Sequence, residues 1–126
     1  MPRRTLSAVS DSMLSAYLEC ALWSSTDDDG APLDNDYSAD DVTCASEHDA
    51  RVDIRDFLSM CDDAGIPVDE YPDADIGHNL WLTRNRHGAG FWDRGWGDDG
   101  DAMTRIAHSL GSIDPYVARG RVHVRR

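Results

Sequence analysis

Residues 78–96 read HNLWLTRNRHGAGFWDRGW and hold three of the four tryptophans and two of the five histidines of a 126-residue chain. Leu80 and Leu82 alternate with Trp81 and Thr83, the two-residue period of a strand whose faces are used differently. Asn85 to Gly90 then supplies an asparagine and two glycines, residues that tolerate the positive φ of a tight reversal. Phe91, Trp92 and Asp93 resume an extended pattern, so the stretch predicts a central β-hairpin with its loop at Arg86 to Ala89. Such a hairpin gathers His78, Trp81, Arg84, Asn85, His87, Trp92, Asp93 and Arg94 into a polar cluster over an aromatic floor, a candidate site for a small ligand or for catalysis. In the catalytic form His87 is the general acid or base near neutral pH. The plainer alternative is a core hairpin with a solvated tip, the usual fate of Trp and Phe in strands and of Arg in loops.

Working outward, Asp11 or Ser12 can cap a helix whose apolar positions, Met13, Leu14, Tyr17, Leu18, Ala21 and Leu22, follow the i, i+3, i+4 template. Ser24 to Tyr37 has the Gly, Pro and Asp content of a loop. Its aspartates lack the D-x-D-x-D-G frame and following Glu of a calcium loop, so no metal and no cofactor is expected. A second helical region opens at Ser38 or Asp40 and reaches about Ala64, with Gly65 and Pro67 as its stop. Ala50, Ile54, Phe57, Leu58, Cys61 and Ala64 form its apolar face, while Val42 and Ala45 fall off that face, so a kink or break is expected near Ser46 to His48. The same 100° count places Asp49, Asp53, Asp56 and Asp63 on one exposed stripe.

Beyond an acidic connector at 67–77 and the hairpin, the aspartates of Gly97 to Asp101 suit the first turn of a third helix. Met103, Ile106, Ala107 and Leu110 form its buried face, and Gly111 follows as its C′ residue. Tyr116 to Val124 reads as a final strand or hairpin. The predicted architecture is α+β: two N-terminal helices, a central β-hairpin, a third helix and a C-terminal strand or hairpin, with the helices packed on a small antiparallel sheet. The length suits a single domain over residues 1–126, frayed at 1–10 and 125–126.

Composition narrows the function. Three cysteines without close spacing indicate neither a disulfide framework nor a zinc knuckle, and Asp11 and Glu19 interrupt any apolar run long enough for a signal peptide or membrane span. A soluble protein in a reducing cytoplasm is the expectation. From Asp27 to Asp75 the chain carries seventeen acidic and two basic residues, against seven acidic and ten basic elsewhere. The net charge of −12 is therefore concentrated in fewer than half the residues. Such a field repels nucleic acid and anionic membrane and attracts basic surfaces. A helix of about 25 residues spans about 37 Å, close to one duplex turn, so a carboxylate-covered helix can imitate a run of phosphates. The commoner alternative is that acidic residues merely solvate a small protein.

Three runs also carry a resemblance. Residues 78–95, HNLWLTRNRHGAGFWDRG, resemble "HDFWLTRNGHGAGFWDRG" of a family of small uncharacterised proteins of tailed phages and mobile elements. YLECALWSSTDDDGAPLDNDYS at 17–38 resembles that family's "ALWSS…GEPLDKNYS" segment, and residues 111–117 resemble its "FGEADVYV" ending. The chain departs from the pattern at Asn79, where the family has an acidic residue, and in its arginine-rich end ARGRVHVRR. The resemblance implies a phage setting, in a host cytoplasm, rather than a mechanism. Joined to the charge, it favours a non-enzymatic DNA-mimic inhibitor whose Asp49, Asp53, Asp56 and Asp63 face a basic, nucleic-acid-binding host protein. A ligand-binding or enzymatic hairpin, and a structural or regulatory phage protein, remain alternatives; direct nucleic-acid binding is opposed by the net charge.

Overall fold

Ser10 starts the first helix by accepting a hydrogen bond on its hydroxyl from the Met13 amide at 3.2 Å. The structure is a computed structural model that describes residues 9–26, 30–86 and 90–124. Helix α1, Asp11–Ser24, buries Met13, Leu14, Tyr17, Leu18, Ala21 and Leu22, the face its periodicity predicts. Two short 3-10 turns, Leu33–Asn35 and Ala39–Asp41, then lead to α2.

The second helical region is broken at Val42 and Thr43, which are both extended, and not near Ser46 to His48, which lie within the helix that follows. Thr43 caps α2, Cys44–Asp63, by accepting from the Ser46 amide at 3.1 Å. Ala50, Ile54, Phe57, Leu58 and Cys61 are buried, Ala64 lies outside the helix and is exposed, and Gly65 takes the positive φ of 76° that ends it.

The central β-hairpin does not exist. Residues 73–84 form helix α3, Asp73–Arg84, and Phe91–Asp93 form a single 3-10 turn. Pro72 at the N-cap and Asp73 and Asp75 in the first turn favour a helix start, the aspartates by complementing the dipole. The alternation of Leu80 and Leu82 misleads because Ile76, Gly77 and every residue from Asn79 to Arg84 are buried. A helix enclosed on nearly all sides loses the polar face by which its period is recognised. Of the predicted loop, Arg86 takes a positive φ of 57°, while His87, Gly88 and Ala89 lie outside the described residues.

Helix α4, Gly97–Ser109, buries Met103 and Ala107, half-buries Ile106 and ends before Gly111 at φ 80°. Strands β1, Tyr116–Ala118, and β2, Arg121–His123, pair antiparallel with Val117 opposite Val122. Arg119 and Gly120 between them both have positive φ, as a two-residue hairpin turn requires. The hairpin is tied to the start of α2: the Thr43 amide donates to the Val122 carbonyl at 3.1 Å and the Val124 amide to the Ser46 hydroxyl at 2.9 Å.

The predicted helices-on-a-sheet layering is thereby corrected: the helices pack mainly on one another and the described sheet is this two-stranded appendage. Helix α3 lies against α1, where a Cβ on Gly77 would collide with the Met13 carbonyl. Trp81 meets Tyr17 edge-on with centroids 5.3 Å apart and donates its indole N–H to the Ser24 hydroxyl at 2.8 Å. Phe91 stacks on Phe57 of α2 at 5.3 Å. One hydrophobic cluster runs from Val9 to Val124.

Candidate functional site

Arg84 and Asp53, assigned by sequence to two different sites, meet in the interior. The Arg84 guanidinium donates through Nη1 to Asp53 Oδ2 at 2.8 Å and to the Tyr17 hydroxyl at 3.0 Å. Through Nε it donates to the Gly111 carbonyl at 2.8 Å and through Nη2 to the Leu110 carbonyl at 3.1 Å. Asp53 is 2% exposed and Arg84 1%. Tyr17, Asp53 and Arg84 belong to three helices, and the two carbonyls terminate the fourth, so one guanidinium joins all four. Asn85 is also spent on structure, donating to the Trp81 carbonyl at 3.0 Å and accepting from the Ile113 amide at 2.7 Å. Trp81 is fully buried.

The predicted acidic stripe is therefore interrupted. Asp49 and Asp56 are half-buried and Asp63 is exposed, but Asp53 points into the core and belongs to the fold. The 100° count places Asp53 on the exposed stripe, and a burial argument from sequence requires knowing that Arg84 waits there. Asp27 to Asp29 lie outside the described residues. Among the described residues, no three His, Cys, Asp or Glu side chains converge as a metal site. Cys20 and Cys61 are buried thiols that burial pushes up to about 12, with Asp62 adding to the effect at Cys61. Neither is a thiolate at neutral pH.

His78, Trp92, Asp93 and Arg94 do reach the surface, but not as one turn. Trp92 is 52% exposed. Asp93 accepts from the Gly90 amide at 3.1 Å. His78 and Arg94 instead line a groove of about 540 Å³ between α1 and α3. Its α1 wall is Ala16, Glu19, Cys20 and Trp23, and its α3 wall is Ala74, Asp75, His78 and Asn79. Arg94 closes it, with Nε donating to the side-chain oxygen of Asn79 at 2.9 Å and 3.6 Å from Asp93 Oδ1. Trp23, 60% exposed, lies over His78 with ring centroids 6.3 Å apart. Burial first, and then Arg94, hold the His78 imidazole below its ordinary range, against the opposing pull of Asp75. His78 is thus neutral at pH 7, a donor and acceptor rather than a cation.

Sequence reasoning missed Ala16, Glu19, Cys20, Trp23, Ala74 and Asp75. The spacing of 16, 19, 20 and 23 is helical and was available, but its partner face on 74–79 is invisible while α3 is read as connector and strand. Among the described residues no helix is long and apolar enough to cross a membrane. The chain matches no family model, no curated protein and no solved structure.

Proposed function

We propose that the protein is an acidic, non-enzymatic accessory protein that imitates duplex DNA and occupies the basic groove of a nucleic-acid-binding or defence protein in the host cytoplasm. The observation that carries this reading is charge placement: seventeen of twenty-four acidic residues fall between Asp27 and Asp75, with only Arg51 and Arg55 among them. Asp49, Asp56 and Asp63 recur every seven residues along α2, so by helix rise they stand about 10.5 Å apart in a row of about 21 Å. Exposed Asp34, Asp36, Asp40, Asp69 and Glu70 extend the field on the turns before and after α2. Such a field favours encounter with a basic groove and disfavours nucleic acid itself. The phage or mobile-element setting implied by the resemblance supplies a host protein as the partner class. Withdrawal of Trp81 and Arg84 into the interior, and the use of half-buried Asn85 to bind backbone groups, count against the alternative of an enzyme built on residues 78–96.

The test uses Asp49→Asn, Asp56→Asn and Asp63→Asn together, leaving Asp53 in place. Immobilised wild-type protein is expected to retain a nucleic-acid-binding protein from host lysate, to release it as salt rises, and to release it to added duplex DNA. The triple variant, with unchanged helical circular dichroism, is expected to retain none. Retention that survives both the triple substitution and competing duplex overturns the reading.

A further inference from the structure

The groove between α1 and α3 holds charged groups whose hydrogen-bonding capacity the fold uses only in part. Arg94 is anchored through Nε by Asn79, itself 2% exposed, and is paired with Asp93 at 3.6 Å, while among the described residues its two terminal nitrogens make no hydrogen bond. Glu19 and Asp75 are exposed on opposite walls, and neither is ion-paired with Arg94. Trp23 presents an exposed indole beside them, and Ala16, Cys20 and Ala74 are too small to fill the space between the helices. The volume of about 540 Å³ falls within the roughly 300–1,000 Å³ of small-molecule clefts.

We propose that this groove binds a small zwitterion with a flat apolar body, the chemistry of a free aromatic α-amino acid. The two terminal nitrogens of Arg94 form a planar fork that matches a carboxylate with paired hydrogen bonds. Glu19 and Asp75 receive the ammonium, and the ring lies against Trp23, where aromatic pairs gain beyond their buried area. An anion would leave Glu19 and Asp75 facing a like charge and a cation would leave Arg94 facing one, whereas a zwitterion meets both signs. His78, half-buried beneath Trp23, contributes a hydrogen-bonding edge without adding charge. Cys20, protonated, serves as an apolar floor.

The site is independent of the acidic face of α2, and the test is independent of any protein partner. L-Phenylalanine, phenylacetate and phenethylamine are titrated into the full chain and followed by amide chemical shifts and calorimetry. Phenylalanine is expected to move the amides of residues 16–23 and 74–79 saturably, with each single-charge compound at least about tenfold weaker. Arg94→Gln and Trp23→Ala are each expected to weaken phenylalanine by about tenfold or more while melting close to wild type. Arg94→Lys, which keeps the charge without the fork, separates geometry from electrostatics and is expected to fall between. No saturable shift up to about 10 mM, equal binding of either single-charge compound, or unchanged affinity in Arg94→Gln overturns the proposal.

Discussion

Arg84 shows how a residue that looks functional can be structural. A guanidinium buried with its charge is tolerated only when its donors are met, and here acceptors on α1, on α2 and at the end of α4 meet four of its five N–H groups. Removing one partner of such a pair leaves an uncompensated buried charge, which costs about 3 to 5 kcal/mol. Asp53→Asn is therefore expected to lower unfolding free energy by that amount in urea denaturation, while Asp34→Asn, at an exposed position, is expected to change it by less than about 0.5 kcal/mol. Equal effects from the two would place Asp53 on the exposed stripe after all. His78 gives a second expectation at this scale. Its folded-state pKa lies below the ordinary 6.5, because burial and Arg94 outweigh Asp75, so the unfolded chain takes up the proton first as pH falls. Stability from this group is complete above the unfolded value and is lost on acidification from there toward the folded value. His108 acts in the same direction through burial and Arg86. Arg94→Gln is expected to raise the imidazole titration of His78, read by proton NMR, and no upward movement would remove Arg94 from its surroundings.

At the scale of elements, legibility followed the contrast between buried and exposed faces. Helices α1, α2 and α4 each keep a solvent face, and their apolar positions were readable from spacing down to Met13, Ile54 and Met103. The alternation around Arg119 to Arg121 left a final strand or hairpin open, and the positive φ of Arg119 and Gly120 makes it a hairpin. Helix α3 was not readable because it is enclosed, and because Asn79, Thr83 and Arg84, polar residues that suggest a surface, are buried with partners. With α3 lost, the groove it shares with α1 was lost too, although His78 and Arg94 had been singled out for other reasons. Gly77 is the most exposed test of this packing. Because its Cβ would meet backbone rather than a movable side chain, Gly77→Ala must push α1 and α3 apart. The expected cost is about 1 to 3 kcal/mol in chemical denaturation, the range for overpacking, despite the better helix propensity of alanine. A neutral or stabilising result would mean that the helices do not cross there.

For the whole molecule, the governing quantity is a net charge of −12 on 126 residues. Self-repulsion of that size opposes compaction, and it is screened by salt, whereas the buried Arg84–Asp53 pair is shielded from ions and should not respond. The Debye length is about 30 Å at 0.01 M salt and about 3 Å at 1 M, so carboxylates about 10.5 Å apart along α2 repel one another in the first case and barely in the second. Between these limits the melting temperature is expected to rise by roughly 3 to 6 °C, equivalent to about 1 kcal/mol for a chain of this size. The Asp49→Asn, Asp56→Asn, Asp63→Asn variant is expected to show a shallower rise, because part of the repulsion has already been removed. Surface ion pairs such as Arg51–Asp11, at 3.8 Å and largely solvated, act in the opposite direction but are individually weak. A melting temperature that falls with salt would mean that attraction outweighs repulsion on this surface, and would remove the net negative field on which the DNA-mimic reading depends.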